Sequence, residues 1–265
     1  MSFQPFVPLG GIAGWRFLQR SQDVQFQAFN AAPVMAREAD TFLARIGEIR
    51  SAADLVADRT VLKVALGAFG LQDDIDNRAF VQRVLADGTK ADDALANRLS
   101  DKRYRAFSAA FGFGPGAVPL TGRRDEMEGI VARYRAQSFE RALGEQDESM
   151  QIALFAQREL SGIAAGSSRE TTKWYSVMGL PPLREMFETA MGLPRSFSQL
   201  DLDKQLDVFR DKLQRATGSA DIGQFADPAA VEKVTTLYLA RAQIRDLSAG
   251  LSSGATALTL LRAAG

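Results

Sequence analysis

The chain has no cysteine and no histidine among its 265 residues. Those two absences remove much enzyme chemistry. Thiol nucleophiles, disulfides, Cys/His zinc sites and iron–sulfur clusters are excluded, as are a histidine general base and a Ser-His-Asp triad. Only carboxylates, Lys, Tyr or a carboxylate-held cation could carry catalysis. An excess charge is also missing, because 32 Lys and Arg balance 32 Asp and Glu. No net field draws the protein to nucleic acid or to an anionic membrane, so neither is expected as a partner. No apolar run reaches the ~18 residues of a membrane span. The opening MSFQPFVPLGGIAGWRFLQR has no basic n-region and is broken by Pro5, Pro8 and three glycines. It does not read as a secretory signal. A cytoplasmic location is the expectation, with export through an uncleaved N-terminus left open.

What is present is helical periodicity. From Arg124, DEMEGIVARYRAQSFERAL places Met127, Ile130, Val131 and Tyr134 on one face, with Arg124 and Glu128 paired on another. Further helices are predicted near 15–30, 33–49, 59–69, 77–87, 92–99, 101–111, 146–164, 168–178, 182–191, 200–216 and 228–248, and strand alternation is hard to find. Ser51 and Asp54 form a capping-box-like start. Gly70, Gly88, Gly192 and Gly218 each follow an apolar run, as C′ glycines do. Pro181, Pro182 and Pro228 suit helix starts. FGFGPGAVPL at 112–121 reads as a loop and as the best boundary within the chain.

The stretch GLQDDIDNRAF, 70–80, carries Asp73, Asp74 and Asp76. Two readings compete: a cation site, or a helix end followed by a polar start. An internal echo favours the second. LKVALGAFGL (62–71) resembles REMFETAMGL (184–193), and the helix starting at DNRAFVQRVL (76–85) resembles DKQLDVFRDKL (203–213). The second copy keeps the Gly-Leu end and the next helix but not the acids. Asp is favoured there because its carboxylate accepts orphan N–H groups. The EF-hand pattern fails at Arg78 and Ala79, and the spacing is wrong for a diphosphate-binding acidic helix.

Other candidates have equally plain alternatives. Arg98, Lys102, Arg103 and Arg105 lie among aromatics, yet Tyr104, Phe107 and Phe111 form a buried-stripe spacing with the cations on the solvated side. GFGPGA (112–117) has neither a preceding strand nor a following Lys and hydroxyl residue, so it lacks a nucleotide-loop context. Lys173, Trp174 and Tyr175 are either binding anchors or core. The tail LSAGLSSGATALTLLRAAG is a final packed helix, a frayed end or a segment that docks on a partner. No catalytic, cofactor-binding or metal-ligating residue is assigned, and no cofactor is expected.

The residues 62–113, beginning LKVALGAFGLQDDIDNRAFVQRVL, resemble the bacterial family catalogued as domain of unknown function 1217. AMGLPRSFSQLDLDKQLDVFRDKL resembles a later part of its pattern. The resemblance implies no enzymatic activity and offers no catalytic residues. It does imply a link with flagellar genes, beside which members are often encoded, and so a flagellum-associated location.

The sequence therefore predicts an all-α protein of two similar multi-helix halves from a diverged internal repeat. The expected organisation is an N-terminal segment (1–20), a first helical half (21–116), a second (117–248) and a C-terminal tail (249–265). The functional expectation is a non-enzymatic protein-interaction or assembly module, with a flagellar accessory, assembly or regulatory factor as one form of it. A protein partner, such as a flagellar component, is expected, with homo-oligomers open. Two alternatives stand beside it: a cation-dependent, carboxylate-using enzyme centred on Asp73, Asp74 and Asp76, and a structural subunit that polymerises.

Overall fold

In the computed structural model, several helices begin at a side chain that caps them, those starting at Ala52, Arg59 and Glu148 among them. The structure describes residues 3–263, with side chains described through residue 248 except at residue 195. Ser51 and Asp54 form a reciprocal capping box at α3 (Ala52–Ala57). The Asp58 carboxylate accepts from Thr60 N at 2.9 Å and Val61 N at 3.1 Å, starting α4 (Arg59–Gly67). Pro181 occupies the first turn of α11 (Pro181–Met191). Among the described residues the regular structure is helical throughout, which makes the protein all-α.

The remaining helices are α1 (Gly11–Asn30), α2 (Pro33–Arg45), α5 (Arg78–Asp87), α6 (Leu95–Arg98), α7 (Arg103–Phe111), α8 (Arg124–Gly144), α9 (Glu148–Ala165), α10 (Glu170–Met178), α12 (Leu202–Thr217) and α13 (Pro228–Ala263). Three differ from the sequence-based expectation. Helix α6 is a single turn. Helix α13 continues past residue 248. Helix α1 starts four residues early, across Gly11 and Gly14, because a Cβ on Gly14 would collide with the Leu9 carbonyl of the preceding segment. That glycine makes room for a chain crossing and does not break the helix.

The Gly-Leu echo is visible locally. Gly70 has φ +68° and Gly192 φ +65°. In both places the following leucine donates five residues back, Leu71 N to Leu66 O at 3.0 Å and Leu193 N to Glu188 O at 2.9 Å. A 3-10 turn and another helix follow each. A repeat of whole halves is not established by this local match.

The chain divides into two compact units: residues 1–6 with 20–146, and residues 7–19 with 147–265. The change comes between Gln146 and Asp147, not at the loop near residue 116. That loop is anchored within the first unit. Leu120 N donates to Phe111 O at 2.9 Å, and the buried Thr121 hydroxyl donates to Ile49 O at 2.7 Å.

In the first unit α2 and α8 both pack on α4, while α5 joins α3, α6 and α7. Phe42, Leu62, Val64, Val84, Phe107 and Phe111 are fully enclosed. The α4–α8 approach is very close. A Cβ on Gly67 would sit 2.7 Å from the Tyr134 ring.

In the second unit α9, α11 and α13 pack together, with α10 and α12 against α11. Trp174 stacks on Phe209 at 5.7 Å, and Phe187 meets Trp174 and Phe225 edge-on at 5.6 and 5.7 Å. Trp15 is buried, and its Nε1 donates to Glu232 at 3.1 Å. No described helix is long and apolar enough to cross a membrane.

Candidate functional site

The three aspartates after Gly70 do not converge. Asp73 pairs with Arg141 of α8 at 3.1 Å. Asp74 accepts from its neighbour Asn77 at 2.8 Å and from the Tyr104 hydroxyl of α7 at 2.6 Å. Asp76 pairs with Arg59 of α4 at 2.8 Å. Each carboxylate thus meets a different element. Asp74 also holds the Tyr104 phenol; burial first, then that bond, raises the Tyr104 pKa to about 12. Among the described residues no set of three or more acidic side chains is arranged to hold a metal ion.

The basic stretch beside them is part of the same scaffold. Arg103 bonds both oxygens of Asp101 and donates to Gly70 O at 2.6 Å, pinning the turn that carries the aspartates. Lys102 donates to Leu99 O at 3.2 Å. Tyr104 stands edge-on to Phe80 at 5.3 Å, and Phe107 and Phe111 are buried as their spacing predicts.

The glycine-rich loop is held against α5. A Cβ on Gly88 or Gly114 would lie 2.6 Å from the other's Cα, so two backbones touch there. Lys90 donates to Gly116 O at 2.8 Å across a cavity of about 430 Å³. This lysine thus bonds to a backbone carbonyl.

The Lys-Trp-Tyr group splits three ways. Trp174 is core, and its Nε1 donates to Ala220 O at 3.0 Å. Lys173 is buried and donates to Ala164 O at 2.7 Å, with Glu170 at 3.3 Å. Tyr175 donates to Asp203 at 2.9 Å on the surface. The expectation that the tail at 249–265 docks on a partner falls outside the residues whose side chains are described.

A feature that sequence reading missed lies in the second unit. Helix α13 buries Val231, Val234, Tyr238, Leu239 and Ala242. From residue 243 to 248 the helix is exposed, with Ile244 and Leu247 at 64% and 62%. Beside them is a cavity of about 470 Å³, walled by Gly10, Gly11, Asp147, Gln243, Asp246 and Leu247. Leu9, next to those glycines, is also exposed. Asp147 caps α9 through Oδ1, accepting from Ser149 N at 2.9 Å and Met150 N at 3.3 Å, while Oδ2 lies beside Gly10.

Charge here is lopsided. Arg245 reaches Glu185 at 3.6 Å, Asp246 at 3.5 Å and the Thr189 hydroxyl at 3.5 Å, all longer than the ~2.7–2.9 Å of a tight charge-assisted bond. Glu185 has a raised pKa, from burial first and then from Glu148. The Tyr238 hydroxyl is fully buried and has no hydrogen-bond partner among the described residues. Burial and then the Glu185 charge push its pKa up; Glu148, Asp147 and Arg245 act on it as well. The sequence signal was weak, because about a hundred residues separate Asp147 from Asp246.

The family model described as "Protein of unknown function (DUF1217)" matches residues 68–231. The chain is also similar to an X-ray crystal structure of a protein from Agrobacterium tumefaciens, with a TM-score of 0.73 and 22% identity over 91% of this chain and 99% of that one. At that identity the likeness establishes the shared fold. Among curated proteins no sequence matches.

Proposed function

The chain belongs to the DUF1217 family, and from that premise we propose that it is a protein-interaction or assembly module, with a flagellar component as the partner to test first. One observation carries the reading. Over residues 243–248 helix α13 presents Ile244 and Leu247 to solvent, one turn apart on one face. Apolar pairs at i, i+3 are how one helix offers itself to another chain, and exposed apolar groups in one place mark interaction surfaces more often than isolated ones do. The separate partners of Asp73, Asp74 and Asp76 weigh against a shared cation site there.

The test is affinity capture of the tagged full chain from a motile host, set against an Ile244→Glu, Leu247→Glu variant with an unchanged melting temperature. The expected result is a flagellar protein recovered with the wild type and lost with the variant. Equal recovery by both would remove this face from the interaction. Recovery of no flagellar component, with motility intact after gene deletion, would remove the flagellar reading.

A further inference from the structure

We infer that residues 3–6 fill a main-chain-reading groove on the first unit, and that an extended, proline-containing segment of a partner protein takes their place there. The α13 face plays no part in this. Residues 3–7 have no regular structure. Pro5 and Pro8 fix their own φ and push Gln4 and Val7 into extended backbone. The first unit holds the segment by its backbone. One side chain, Gln25 of α1, takes both polar groups of one residue: Phe6 N donates to its Oε1 at 2.7 Å, and its Nε2 donates to Phe6 O at 3.1 Å. Gln146, just past α8, donates to Pro5 O. All these residues lie in the first unit. Pro5 is buried, whereas Phe3 and Phe6 are 37% and 57% exposed.

The hold is therefore on backbone shape, with one side chain, Pro5, read by burial. Extended segments bound in this way gain affinity from main-chain bonds and selectivity from the pockets that take alternate side chains. The clamp is set in advance. Gln25 is only 8% exposed, and its Nε2 also donates to Ser21 Oγ at 2.8 Å, which fixes the amide independently of the segment. Neither the clamp nor residues 3–6 carry a charged side chain, so the matching part of the partner is uncharged as well. The segment is tethered at one end only, through residues 7–10, which have no helix or strand before Gly11. Such a tether keeps it near the groove at about millimolar effective concentration. It closes the groove in the isolated chain and yields to a longer segment that makes further contacts.

The test opens the groove in the full chain with Pro5→Asp and, separately, Pro5→Lys, each of which puts a charge where proline is buried. The probe is acetyl-Ser-Phe-Gln-Pro-Phe-Val-amide, titrated into the ¹⁵N-labelled chains and followed at the Gln25 side-chain amide. The expected result is saturable binding to both variants, and binding about tenfold weaker to the wild type, whose own segment competes. A probe N-methylated at its second phenylalanine lacks the N–H that Gln25 Oε1 accepts and binds about tenfold more weakly. Gln25→Ala in the Pro5→Asp chain weakens the parent probe by a similar factor. Acetyl-Ala-Ala-Ala-Pro-Ala-Ala-amide keeps the backbone and the proline and binds within about fivefold of the parent, as a partner of different sequence must. No saturable binding, equal binding of the N-methylated probe, equal affinity of wild type and variants, or loss of the alanine probe would each overturn the inference. So would failure of both proline variants to fold, which would make residues 3–6 part of the core.

Discussion

Replacing Gly67 with alanine sets two known effects against each other. Gly67 is buried in the last turn of α4, and alanine there gains about 0.8–1 kcal/mol of helix propensity. Against this, the new Cβ would stand 2.7 Å from two carbons of the Tyr134 ring. Carbon pairs prefer ~3.5–4.0 Å, so helix or ring must yield by about 0.8 Å. The ring has little freedom. Tyr134 is buried, and its hydroxyl donates to Glu38, which also pairs with Lys63. Overpacking of a tight core costs about 1–3 kcal/mol, and a strained hydrogen bond to a carboxylate adds to it. The sum is a net loss of about 1–2 kcal/mol, or about 2–8 °C in melting temperature for a unit of this size. Urea denaturation followed by tyrosine fluorescence measures it. The same substitution in a Tyr134→Ala background removes the collision and should stabilise by about 0.5–1 kcal/mol. If Gly67→Ala stabilises the wild type, the α4–α8 contact is not as described.

Tyr104→Phe should lower stability by about 1 kcal/mol through its lost bond to Asp74. Asp73→Asn and Asp76→Asn, at 82% and 77% side-chain exposure, should change it by less than about 0.5 kcal/mol; chemical denaturation separates the cases. Trp174→Ala should cost about 3–5 kcal/mol and reduce the near-ultraviolet dichroism of the second unit, leaving the Trp15 contribution. Glu185 has its folded pKa raised above the unfolded value, so its charge opposes folding once pH rises through the folded pKa and is harmless below the unfolded one. Glu185→Gln should therefore raise the melting temperature at neutral pH, with the gain vanishing near pH 4. A constant or reversed difference would contradict the burial of that carboxyl.

Much of the helical layout was legible because it is set locally. Apolar spacing, Asp and Ser caps and C′ glycines all act within a few residues, so Asp58, Gly192 and Pro181 declared their roles. Asp73, Asp74 and Asp76 lie in the turn that their place after Gly70 suggests, though nothing local revealed Arg141, Tyr104 and Arg59 as their separate partners. Glycine and proline content at 112–121 marks an interruption of regular backbone. It says nothing of what the loop folds back onto, here Phe111, Ile49 and Gly88. The cavity beside α13 was invisible for a similar reason. Its walls come from residues 10, 147 and 246, and only tertiary packing relates them.

Helix α1 belongs to both units, its first half to one and its second half to the other. During synthesis the part from residue 20 onward can find its neighbours once Gln146 has emerged. Trp15 cannot, because its partner Glu232 lies 217 residues downstream. At about 5–20 residues per second, this indole stays uncovered for roughly 10–40 s on the ribosome. A large apolar group thus waits through the synthesis of the 217 residues that separate it from its partner, a standing invitation to a holdase chaperone.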